Sequence, residues 1–141
     1  MKLTKIDVIT NNLLEKENFI MHMNLEQIIR IAQGEVVTKE LSTDVNIHGG
    51  CCADLMSDVL AYTRPRAVLI TGLTNPQVVR TAQVADFRAI IFIRGKKPQS
   101  ETIEIAVQEN IPLISSPFGM FELSGKLHDA GLTSYETNDS N

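Results

Sequence analysis

The sequence has 141 residues, 43% of them hydrophobic and 21% charged, with a formal charge of −4; these proportions describe one ordinary globular core and exclude a catalytic domain with a separate regulatory one. The 13 Lys and Arg against 17 Asp and Glu are scattered and leave no positive excess, so nucleic acid is not an expected partner. No apolar run reaches the roughly 18 residues of a membrane helix, Met1–Thr10 is charged where a signal peptide is apolar, and the only cysteines, Cys51 and Cys52, are adjacent. A cytoplasmic protein without a membrane partner is the expectation.

Lys2–Phe19 mixes Asn, Lys and Glu with isolated apolar residues and reads as an N-terminal extension over 1–23. Translation from Met21 or Met23 is one reading of that segment, and an N-terminal strand or arm is the other. Asn24 is a good N-cap for a helix with Leu25, Ile28, Ile29 and Ala32 on one face and Gly34 placed to end it. Two short strands follow, Glu35–Thr38 and Val45–Ile47, the second ending in Gly49 and Gly50. From Asp54, the spacing of Leu55, Met56, Val59 and Leu60 predicts a short amphipathic helix stopped before Pro65.

The second half is more regular. Ala67–Thr71 is a continuous apolar strand, followed by a helix over Pro76–Ala85 with Asn75 as N-cap and Pro76 at its first position. Ala89–Ile93 precedes a helix over Ser100–Asn110, capped by Ser100, with Ile103, Ala106 and Val107 as its buried stripe. Pro112–Ser115 precedes a helix over Phe118–Ala130, with Phe121, Leu123, Leu127 and Ala130 apolar and Gly131 at C′. Continuous apolar strands alternating with helices predict an α/β fold with a mostly parallel sheet of βα units flanked by helices. The polar segment 133–141 reads as a flexible tail.

In a parallel sheet the strand-to-helix loops emerge together at the carboxyl edge. That edge gathers Thr71, Gly72 and Asn75 from one loop, Arg94, Gly95 and Lys96 from the second, and Ser115 and Ser116 from the third. Helix N-termini, hydroxyls and basic side chains together suit a phosphate or carboxylate. The same residues also serve as ordinary caps and turn glycines in any α/β protein. Neither phosphate-binding glycine motif occurs in the sequence. His48, Cys51, Cys52 and Asp54 are ligand-type residues, but adjacent cysteines point oppositely on an extended chain, so no metal or other cofactor is expected and the thiols read as buried or half-buried. No nucleophile, base and orienting group assemble around His48, His22 or His128, so no catalytic residue is assigned.

The stretch Asp44–Gly50 (DVNIHGG) followed by Ala53–Leu60 (ADLMSDVL) resembles the DRTGG domain family, through Asp44, Gly49, Gly50, Ser57 and Asp58. The resemblance continues through TGLTN, IIFIRGKKPQSETIEIA and IPLISSPFGMFELSGKLHDAGL, so that it covers 24–132, with Val45 standing where the motif has arginine. It implies a fold like the N-terminal domain of HPr kinase/phosphorylase. It also implies a place among modules found in phosphotransacetylases, between CBS domains of regulated pyrophosphatases, and as free-standing proteins. A kinase activity sometimes attached to such modules is set aside, because the phosphate loop it needs is missing. The expected function is therefore a non-enzymatic regulatory or scaffolding domain. It is expected to self-associate as a homodimer, to sense a small ligand, and to reach any partner protein in trans. The alternative is a binding module for an anionic metabolite or adenine nucleotide at the carboxyl edge.

Overall fold

The computed structural model describes residues 22–136 and, before them, Lys5; expectations for the rest of the N-terminal extension and for 137–141 fall outside the described residues. Strand β1 (Met23–Asn24) leads into α1 (Leu25–Ala32), followed by β2 (Glu35–Val36), β3 (Asn46–Ile47) and β4 (Gly49–Cys52). Then come α2 (Met56–Tyr62), β5 (Ala67–Thr71), α3 (Pro76–Val84), β6 (Ala89–Phe92), α4 (Ser100–Gln108), β7 (Leu113–Ser115) and α5 (Met120–Asp129). The main sheet has the order β2-β7-β6-β5-β4, with β4 to β7 parallel and β2 antiparallel at the far edge. β1 and β3 form a separate antiparallel pair that joins Met23 to Ile47.

The period of two along the strands builds two cores. Val68, Ile70, Ile91, Ile114 and Cys52 face α1 and α5, whereas Cys51, Leu69, Ile90, Phe92 and Leu113 face α2, α3 and α4. The fold is thus a three-layer α/β/α arrangement, and its central strands are buried on both faces, as their unbroken apolar sequences predict.

Several local expectations are corrected. The glycine pair does not end a strand: Gly49, Gly50, Cys51 and Cys52 are β4 itself, in register with Ala67–Ile70 of β5. Helix α1 is closed by Gln33 in the left-handed region (φ 48°) rather than by Gly34. A Cβ at Gly34 would fall 2.5 Å from Ile114 Cγ2, so this glycine allows close packing on β7. Asn75 and Gln99 sit at the N-caps of α3 and α4 without a side-chain cap bond, and Ser100 is already inside α4. The buried positions of α4 are Thr102 and Ala106. Gly131 ends α5 at φ 108°, as expected. In α5, Leu123 and Leu127 point inward, but Phe121 is 95% exposed and Ala130 is exposed.

Pairing also begins one residue before the expected boundary, at Met23, and continues past Leu132 into the expected tail. Gly50 N donates to Thr133 O at 2.9 Å and Tyr135 N to Gly50 O at 2.9 Å, which lays Leu132–Glu136 along the free edge of β4 as a strap. Tyr135 is 8% exposed. The strap is ordered because Gly49 has no side chain: a Cβ there would lie 2.2 Å from Tyr135 Cδ1.

Candidate functional site

The carboxyl edge forms as the parallel topology requires, and its three loops are bonded to one another. Because α4 lies on one face and α5 on the other, the ends of β6 and β7 form the point at which neighbouring connections diverge, where α/β sheets commonly bind ligands. Here that crevice is laced across. Arg94 N donates to Phe118 O (2.8 Å), Gly95 N to Ser116 O (2.7 Å), and Ser115 Oγ to Lys96 O (2.8 Å). Ser116, fully buried, donates to Ala32 O at 2.7 Å and thereby fixes α1 to the end of β7.

Asp54, in the loop after β4, enters the same edge. Its Oδ1 accepts from Thr71 Oγ1 at 2.9 Å and from Gly72 N at 2.7 Å. A carboxylate of the chain therefore occupies the donors that an external anion would use. Lys96 Nζ donates to Gly72 O at 3.1 Å, and Lys97 is paired with Glu35, whose carboxyl is held below the usual range by that ammonium. Asn75 Oδ1 is buried with no partner among the described residues, and Val78 N, one of the amides such a cap would accept from, bonds instead to the Asn75 backbone carbonyl. Arg94 takes the left-handed region at φ 57°, next to Gly95 at φ 66°, and one guanidinium nitrogen is 3.5 Å from where a Gly119 Cβ would stand. The edge thus brings together all eight expected residues, while the hydroxyls of Thr71, Ser115 and Ser116 are directed to acceptors within the protein.

The motif residues are distributed rather than gathered. Asp44 Oδ1 accepts from Asn24 Nδ2 at 2.8 Å, and Asn24 Oδ1 accepts from Glu26 N at 3.0 Å, so Asp44 orients the cap of α1. Val45 packs against the core on the α1 and α5 face. Ser57 and Asp58 are exposed on α2.

The edge of β4 joins the two cysteines to the strap, which lies 80 or more residues further along the chain. Cys51 and Cys52 project to opposite faces. Thr63 Oγ1 donates to Cys51 Sγ at 3.3 Å, and Cys52 Sγ shares a 2.9 Å hydrogen bond with Ser124 Oγ. Burial pushes the Cys51 thiol up to about 11 and raises Cys52 as well, so neither is a ready thiolate at neutral pH. His48 lies at the amino end of β4, its backbone N–H donating to Arg66 O at 2.9 Å, whereas Asp54 lies beyond the carboxyl end. Among the described residues no group of three or more His, Cys, Asp or Glu is placed to hold a metal ion. The strap is fastened by Cys52 N donating to Glu136 Oε1 at 3.2 Å, by Arg64 N donating to Tyr135 O at 3.0 Å, and by the Arg64 guanidinium 5.6 Å from the centre of the Tyr135 ring. Two clefts flank it: one of about 400 Å³ between the strap and α5, and one of about 250 Å³ beside α2, lined by Cys51, Asp58 and Tyr62.

Comparison with known proteins agrees with this architecture. The sequence profile described as "DRTGG domain" matches residues 27–130. No curated protein sequence is significantly similar. A similar solved structure is that of the CBS and DRTGG domains of the regulatory region of Clostridium perfringens pyrophosphatase, complexed with the activator diadenosine tetraphosphate. It superposes with a TM-score of 0.63 at 19% identity, over 84% of this chain and 51% of that one, a likeness of fold in which this chain spans about half of the other.

Proposed function

The chain belongs to the DRTGG domain family, and from that premise we propose that it is a regulatory, non-enzymatic module that self-associates as a two-fold dimer and senses a small ligand. The carrying observation is exposed apolar surface on the layer formed by α2 and α3: Leu60 is 51% exposed, Tyr62 39% and Val84 76%. Leu60 and Tyr62 lie in the last turn of α2 and Val84 is the last residue of α3. Both are crossover helices running back from the carboxyl edge, so these side chains stand at the same end of one layer. Isolated exposed apolar residues are ordinary; several on two adjacent helices suit a self-complementary contact. The regulatory role accords with that of the pyrophosphatase region of like fold. Sedimentation equilibrium at micromolar concentration tests the reading: a dimer is expected, and a monomer contradicts it.

A second reading keeps the carboxyl edge as a site for a nucleotide or other anionic small molecule. It is favoured by Arg94, a non-glycine residue held at φ 57° with its guanidinium against Gly119 at the start of α5; strain of this kind concentrates at ligand sites. Thermal shift with diadenosine tetraphosphate, adenine nucleotides and inorganic phosphate tests it. Ligand at 100 times its Kd stabilises by about 2.7 kcal/mol, and the Lys96→Ala and Arg94→Ala variants are expected to lose the shift. Absence of any shift in the wild-type protein removes this reading.

A further inference from the structure

We propose that the cleft of about 400 Å³ between α5 and the strap binds a small planar aromatic molecule carrying a positively charged amine. Phe121, Gly125 and His128 line the cleft from α5, and their spacing of four and then three residues puts them in one row along the helix. Phe121 is 95% exposed. A glycine inside a helix lowers its stability relative to alanine, yet nothing in the described structure needs Gly125: its φ is not positive, and an added Cβ would meet no atom within 4 Å. Its effect is to leave the helix backbone bare between two rings, a flat gap into which a third ring fits. Ile70 and Cys52 also line the cleft, and the strap contributes its opposite wall.

Charge selects among flat ligands. The acidic residues Asp129 and Glu136 line the cleft, and among the described residues no lysine or arginine does. Glu136 Oε1 accepts from Cys52 N at 3.2 Å, which ties this carboxylate to the edge of β4. A cationic amine is complementary to these carboxylates, and a cationic ring stacks favourably on the face of Phe121. The volume is that of a small-molecule site, apolar with a few polar groups. The cleft is on the α5 face, opposite the α2 and α3 layer, so the proposal does not depend on self-association.

The probe is 9-aminoacridine, a planar fluorescent cation, titrated by fluorescence against the full chain. Saturable binding of one probe per chain is expected. Gly125→Leu, which fills the gap with a better helix former, is expected to weaken binding by at least about tenfold without lowering the thermal unfolding midpoint. Phe121→Ala, a change at an exposed position, is expected to weaken it as well. 9-Anthracenecarboxylate, of similar shape and opposite charge, is expected to bind at least about tenfold more weakly. Absence of saturable binding, equal affinity in both variants, or equal affinity for the anionic ring overturns the proposal.

Discussion

Gly49 and Gly50 are neighbours in β4 but meet different surroundings. A Cβ at Gly49 would stand 2.2 to 2.9 Å from three atoms of Tyr135, whereas one at Gly50 would meet the end of the flexible Leu132 side chain at 3.2 Å. Gly49→Ala must displace a buried ring and is expected to cost about 1–3 kcal/mol in denaturant unfolding; Gly50→Ala is expected to cost less than about 1 kcal/mol. In a Tyr135→Ala background most of the Gly49 penalty is expected to vanish, and strictly additive losses would contradict this origin of the glycine. His48 supplies a second residue-level test. Burial first, then Arg66, Arg88 and His22, hold its imidazole below the ordinary 6.5. In the window just below that value the folded state binds fewer protons than the unfolded state. The contribution of the neutral ring is therefore present above about pH 6.5 and is lost as pH falls through the depressed folded value. Stability measured from about pH 7.5 down to 5 is expected to fall more steeply in the wild type than in His48→Gln; equal slopes would contradict the assignment.

At the level of elements, the legible parts of the fold were those whose burial is recorded locally. Ala67–Thr71, Ala89–Phe92 and Leu113–Ser115 are buried on both faces and read as continuous apolar runs. The glycine pair reads as the end of a strand, and Gly49–Cys52 becomes a strand of its own because β5 pairs with one side and the strap with the other. The strap was hidden for the same reason: its polar composition suggests a tail, and its order derives from a glycine 86 residues earlier, Gly49 beneath Tyr135. Hydrogen exchange tests this contact. The amide of Gly50, bonded to Thr133 O, is expected to be protected in the wild type and to exchange at least about tenfold faster in Tyr135→Ala, while amides of β6 stay protected. Equal exchange of Gly50 in both proteins would show that the strap does not cover this edge in solution.

For the whole molecule, parallel topology made the convergence of Thr71, Arg94 and Ser115 legible, since it follows from strand direction alone. What the sequence withheld was the commitment of each polar group. Asp54 reaches Thr71 and Gly72 across 17 and 18 residues, and Ser116 reaches Ala32 across 84, contacts that no local pattern encodes. With these donors engaged internally, the exposed apolar surface of α2 and α3 is the stronger guide to how the molecule acts. Leu60 and Val84 are 51% and 76% exposed, so replacing both by glutamate leaves the core intact while placing like charges opposite one another in a two-fold contact. Sedimentation equilibrium of the wild type and of the Leu60→Glu, Val84→Glu double variant at the same micromolar concentrations is the direct measurement: a wild-type dimer and a folded monomeric variant are predicted, and a wild-type monomer, or a variant that remains dimeric, would contradict self-association through this face.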